Sequence, residues 1–223
     1  MLPISLPVGE IAAVVLSAPG ISLSQAALAG LAANNVPIVV CDARRQPVGM
    51  LMPLVTHSTQ VERFAIQSAL GAPRRKRLWQ SIVRAKLCAQ ADALVQLGRR
   101  EVGLAAMAKR VRSGDPDNLE AQGAQRYWRV VFGDDGFRRG REGAPPNNLL
   151  NYGYAVLRAT VARAICASGL HPSLGVHHHN RYDSFALASD LMEPFRPLID
   201  VRIAKVTSMS PIDADLSKEH RAA

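Results

Sequence analysis

The apolar and polar positions divide the chain into a short β-rich start and a long helical remainder. Residues 11–16, IAAVVL, form a brief apolar run of strand length that Pro19 and Gly20 close. Ser22 followed by Gln25 has capping-box spacing, and the Ala/Leu-rich segment behind it predicts a helix to Ala33, closed by Asn34 and Asn35. The β-branched run at 36–41 predicts a second strand, and PVGMLMP within 46–53 a further short strand or turn. From residue 74 the period becomes helical. In RRKRLWQSIVRAKLCAQADALVQL, Leu78, Ile82, Ala85, Ala89 and Ala93 share one stripe and Arg74, Arg77 and Arg84 another. A shorter helix over 102–111 carries Lys109, Arg110 and Arg112 towards its C-terminal end, where cations suit the helix dipole.

Asp117 or Asn118 caps the next predicted helix, whose buried stripe runs through Ala124, Tyr127 or Trp128, and Val131. GDDGFRRGREGAPPN, at 133–147, reads as a loop, and Asn147 or Asn148 caps a long helix buried along Leu150, Tyr154, Leu157, Val161 and Ile165. Gly169 ends it, and a last short helix is predicted over 183–192 with Pro194 as its stop. The expected fold class is therefore α+β: a small β-rich N-terminal domain (1–55), a polar linker (56–73) and a larger all-helical domain (74–223).

Composition narrows the class. The chain has 223 residues, 48% of them hydrophobic, which suits one or two cores; its net charge of +9 and pI near 10.1 suit a folded protein with a basic face for phosphates. Cys41, Cys88 and Cys166 are far apart with no CxxC pair, which argues against a disulfide framework or zinc ribbon and for a reducing cytoplasm. The opening residues lack a basic region before their apolar run, and no apolar stretch approaches the roughly 20 residues of a membrane span, so neither a signal peptide nor a membrane partner is expected. The SAPGIS connection lacks the glycines of a dinucleotide loop. Cys41 has no neighbouring histidine to activate it and reads as structural.

Candidate chemistry concentrates in 169–197, GLHPSLGVHHHNRYDSFALASDLMEPFRP. Three consecutive histidines in an extended loop cannot all face one ion, because alternate side chains point to opposite sides. Asp190 and Glu193, three apart on a helix, share a face. A loop histidine delivered onto such a carboxylate pair makes half of a divalent-cation site. Glu120 has two readings. It completes an Asp117-x-x-Glu120 capping box, or, one turn back along the core-facing stripe, it is a buried carboxylate that needs a cation. Arg74, Arg77 and Arg84, with Arg138, Arg139 and Arg141 of the loop, contact DNA phosphates or form an ordinary solvated face. His57, His171 and His220 have no interpretable partner, and Tyr127 and Trp128 read as core.

The segments LEAQGAQRYW, PPNNLLNYGYAVL, GLHPSLGVHH and FALASDLMEPFRPLID, in this order over nearly the whole chain, resemble the CRISPR-associated integrase family, the first-numbered protein of that system, and most of all its branch accompanying single-protein RNA-guided effectors. The resemblance implies a β-rich domain joined to a helical catalytic domain, a homodimer, and two such dimers clamping a central dimer of a small ferredoxin-like partner. It implies double-stranded DNA as substrate, and possible contact with the RNA-guided effector. By motif it places metal ligands at Glu120, His178 and Glu193, with Asp190 in support; this donor set suits Mg²⁺ or Mn²⁺ better than zinc. The implied reaction is attack of a DNA 3′-hydroxyl on a phosphodiester, inserting new spacers into a CRISPR array, or hydrolysis when water attacks. Against the family pattern the chain begins late and stops early. Two other readings follow: a shortened, inactive DNA-binding or assembly module, and a transposon-borne integrase relative that acts without the partner.

Overall fold

The computed structural model describes residues 5–43, 47–53, 56–133, 137–140, 145–178 and 182–209. A small three-stranded sheet near the N-terminus precedes a mostly helical body. Strand β1 (Val14–Leu16) lies parallel to β2 (Ile38–Cys41), with Val14 opposite Ile38, and helix α1 (Gln25–Ala33) makes the crossover. Strand β3 (Pro47–Leu51) returns antiparallel beside β2, with Val39 opposite Met50. The α1 cap is Ser24, whose hydroxyl accepts from the Ala27 amide at 3.1 Å, two residues later than the Ser22 box predicts. Leu31, Val36 and Ile38 form a small core of their own. Arg163 ties this layer to the helical body by donating to the Ile11 carbonyl at 3.0 Å.

The stretch expected as a linker contains helix α2 (Gln60–Ser68). Helix α3 (Ala72–Gln96) is the axis of the body, and α4 (Leu104–Arg110), α5 (Leu119–Trp128), α6 (Asn147–Ala167), α7 (Ala186–Leu191) and α8 (Arg196–Met209) follow. The buried face of α3 is Trp79, Ile82, Val83, Lys86, Leu87, Gln90, Ala91, Ala93 and Leu94. This corrects the predicted stripe: Leu78 is 46% exposed and Ala85 also faces solvent. The true stripe includes a lysine and a glutamine, which disguise it as polar. Helix α5 packs on α3 at Gly123, where any Cβ would lie 2.2 Å from Leu87 Cδ2 and would force that side chain to move. Gly153 of α6 meets Ile199 of α8 in the same way, at 2.5 Å.

Asp200 of α8 fastens three helices. Its carboxylate is 1% exposed and accepts from the Tyr127 hydroxyl of α5 at 2.9 Å and from the Tyr154 hydroxyl of α6. Burial pushes the Asp200 carboxyl up to about 7, against the lowering effect of both tyrosines and of Arg196 and Arg139. A carboxyl raised above its unfolded value of about 4 contributes stability that is present below that value and lost as pH rises through about 7. Wild type is therefore expected to lose on the order of 4 kcal/mol relative to Asp200→Asn between about pH 4 and pH 7, measured as paired urea midpoints across that window. Parallel pH profiles for the two proteins would refute this account.

Candidate active site

Glu120 stands in the first turn of α5, and its side chain leaves the helix for the buried face of α3. There it pairs with the ammonium of Lys86. The capping-box reading does not hold: Asp115 accepts from the Leu119 and Glu120 amides at 2.9 Å each, and Asp117 turns outward to Arg112. Lys86 meets a second carboxylate, with Glu193 Oε2 at 2.5 Å from its Nζ. Burial works against the Lys86 charge, but Glu193 and Glu120 outweigh it and hold the ammonium above its ordinary value. Arg196 Nε lies 2.8 Å from Glu193 Oε1. Both contacts to Glu193 are close in distance, yet Glu193 Oε2 and Arg196 Nε have no hydrogen bond of adequate geometry. Distance is the better guide to the electrostatics, because Coulomb attraction does not depend on alignment.

Asp190 and Glu193 do not share a helical face as expected. Helix α7 ends at Leu191, and the chain tightens into a 3-10 turn over Glu193–Phe195 before α8. Glu193 thereby points to Lys86, while Asp190, 0% exposed, points to the histidine loop. It accepts from the amides of Val176 (2.6 Å), His177 (2.9 Å) and His178 (3.2 Å), and its Oδ1 meets His178 Nδ1 at 2.5 Å. Burial pushes the Asp190 carboxyl up, but the His178 imidazole and the loop amides prevail and hold it below the usual carboxylate range. The same hydrogen bond raises the His178 imidazole above its usual value. Gly175 permits the wrap: a Cβ there would lie 2.7 Å from the His178 carbonyl and 3.2 Å from Asp190 Oδ2.

Two further elements seat the loop. Trp79, on the buried face of α3, stacks on His177 with ring centroids 4.0 Å apart and planes within 4°, and meets His178 edge-on at 5.8 Å. Helix α2 grips the loop from outside: Gln67 donates to the His171 and Leu174 carbonyls and accepts from the His171 amide, while Arg63 donates to the Ser168 carbonyl at 2.6 Å. A groove of about 1010 Å³ opens beside His178, walled by Ile66, Leu78, Leu174, Leu187 and Arg75, but neither glutamate lines it.

Among the described residues, no three His, Cys, Asp or Glu side chains lie close enough together to hold an ion as they stand. The donors nevertheless fit a hard cation. Two carboxylates from separate elements already meet one positive charge, and the buried Glu193 Oε2 lacks a hydrogen bond. The Asp190 contact fixes the His178 ring through one nitrogen, as carboxylates do for metal-ligating histidines.

Of the arginines expected at phosphates, Arg74, Arg77 and Arg138 are exposed. Arg84 donates to the Val111 carbonyl at 2.8 Å. Arg139 turns inward, to Asn147 at 3.0 Å and Asn151 at 2.6 Å, with its guanidinium over the Tyr154 ring, so it braces its loop and does not face outward. Arg141, His179 and His220 lie outside the described residues. Sequence reasoning missed Lys86, Trp79, Gln67 and Arg196.

A family model described as CRISPR associated protein Cas1 matches residues 3–220. A CRISPR-associated endonuclease Cas1 from Neisseria meningitidis serogroup C is 34% identical over 221 residues, covering 97% of this chain and 72% of the relative. Among solved structures, a Cas1 protein from Thermotoga maritima superposes with a TM-score of 0.74 at 21% identity, covering 97% of this chain and 77% of that one. A casposase bound to an integration product gives 0.70 at 21% identity, covering 91% and 62%. A partial Cas6-RT-Cas1–Cas2 complex gives 0.64 at 20% identity, covering 94% and 74%.

Proposed function

Since the chain belongs to the CRISPR associated protein Cas1 family, we propose that it is a metal-dependent DNA integrase and endonuclease that inserts new spacers into a repeat array. The observation that carries this reading is the meeting of Glu120 and Glu193 on one positive charge, beside a histidine that Asp190 orients. Glu120, Glu193 and His178 would hold a Mg²⁺ or Mn²⁺ ion, which would supply charge neutralisation at a scissile phosphate and help to deprotonate an attacking hydroxyl.

The protein's own residues do the positioning. Asp190 holds the imidazole in one orientation, which leaves the other ring nitrogen as the ligand. Trp79 and Gln67 keep the loop in place from opposite sides. Arg196, 2.8 Å from Glu193 and 4.7 Å from the Tyr154 ring centroid, is a second cation beside Glu193 and suits a phosphate oxygen. Exposed Arg74 and Arg77 track the duplex backbone without reading sequence. Attack by a 3′-hydroxyl joins DNA; attack by water cuts it.

The substrate is double-stranded DNA. The protein acts as a homodimer with a small ferredoxin-like partner dimer, a reading that the likeness to a Cas1–Cas2 assembly supports. The likeness to a casposase favours a second reading, a transposon-type integrase that needs no partner. The test is joining of a labelled 3′-hydroxyl duplex into supercoiled plasmid. Joined product is expected with Mn²⁺ and none with chelator, and joining that persists in chelator would overturn the metal-dependent reading. Efficient joining without the partner protein would select the transposon-type reading.

A further inference from the structure

We propose that Lys86 is a resident counter-cation of the site: in the metal-free protein its ammonium holds Glu120 and Glu193 together, and a divalent ion competes with it for the same two carboxylates. The inference rests on reading those glutamates as ion ligands.

The geometry is unusual for a lysine on a basic helix. Lys86 belongs to the buried face of α3, between Val83 and Gln90, and is 7% exposed. Arg74 and Arg77 of the same helix face solvent. A buried ammonium is costly unless opposite charge compensates it, and here two carboxylates from different elements do so. Those carboxylates in turn need a cation. Glu193 is 6% exposed, and without Lys86 it would retain, among the described residues, the ion pair with Arg196. Glu120, at 26% side-chain exposure, has no other ion pair among the described residues. The three charges therefore form one unit that clamps α5 and the Glu193 turn onto α3.

Two consequences follow. The carboxylates are preorganised before any ion arrives, so the apo protein is not strained by their mutual repulsion. The ion also has to displace a charge already in place, so its affinity is lower than that of the same donors without the lysine. A site built this way loads best when another anionic ligand, such as a DNA phosphate, is present to help draw the ammonium away.

The experiment measures Mn²⁺ binding by the spin resonance of free Mn²⁺, and melting temperature in chelator and in Mn²⁺, for the full chain as wild type, Lys86→Met and Lys86→Arg. Lys86→Met is expected to bind Mn²⁺ at least about tenfold more tightly than wild type, to melt lower in chelator, and to regain that loss with Mn²⁺. Lys86→Arg keeps a cation and is expected to stay within about twofold of wild type in Mn²⁺ affinity. If Lys86→Met folds only with Mn²⁺ present, its unfolding on chelation, against a wild type that withstands it, is the same result by another readout. Equal or weaker Mn²⁺ binding by a folded Lys86→Met overturns the competition while leaving the ligand assignment intact. Absence of Mn²⁺ binding in all three proteins overturns the ligand assignment and this inference with it.

Discussion

Glu120→Gln is expected to lower strand joining about a thousandfold or more, corresponding to about 4 kcal/mol of lost transition-state stabilisation, while duplex affinity stays within about twofold. The substitution keeps the shape of the side chain and removes only its charge. Helix α5 should keep its place, because Gly123 against Leu87 and Tyr127 against Asp200 fix it independently of Glu120. Glu193 still neutralises Lys86, so the local charge changes by one unit without leaving a bare buried ammonium. Binding should hold because the exposed Arg74 and Arg77 proposed above as phosphate contacts are separate from Glu120, whose side chain pairs with Lys86. Joining rates of wild type and variant at saturating Mn²⁺, with filter binding of the same duplex, separate the two quantities. Joining within about tenfold of wild type would remove Glu120 from the chemistry.

How much of this could be read from the residues depended on which partners were local. The first two strands and the long helices were legible, the third only as a strand or turn, because β-branched runs and 3.6-residue stripes are short-range signals. The caps were less so, since Ser24 caps α1 in place of Ser22, and Asn118 and Pro146 precede α5 and α6 without a side-chain cap bond. Glu120 stood out because a carboxylate on a core-facing stripe needs explanation. Lys86 escaped the same reasoning. It lies among Arg74, Arg75, Lys76, Arg77 and Arg84, and so resembles one more charge on a solvated face, although its spacing from Ile82 and Gln90 places it on the core stripe. Its partner Glu120 is 34 residues away, beyond any local pattern. Helix α2 was hidden for another reason. Its residues are exposed or partly exposed, with no core stripe, and it acts through Gln67 and Arg63 on a distant loop. Nor did spacing distinguish Asp190 from Glu193. The 3-10 turn after Leu191 sends one carboxylate to the loop amides and the other to Lys86, and that break depends on tertiary packing as much as on Pro194.

Asp190→Asn, nearly isosteric, is expected to cost about 2 to 4 kcal/mol of stability and to reduce joining by about a hundredfold. The carboxylate accepts on both oxygens: Oδ2 from the Val176 and His177 amides, and Oδ1 from the His178 amide and ring. An asparagine has only one oxygen, so its amide nitrogen must face donors whichever way it is turned. If it faces Val176 and His177, two backbone N–H groups lose their acceptor at a buried site. If it faces His178, the ring loses the contact that orients it, and the imidazole also loses the partner that raises its pKa. Either way the loop loosens and His178 samples other orientations, even though Trp79 still packs against His177. Urea midpoints report the first effect, and hydrogen exchange at the Val176, His177 and His178 amides localises it; wild-type protection at all three, with wild-type joining, would show that Asp190 does not hold this loop.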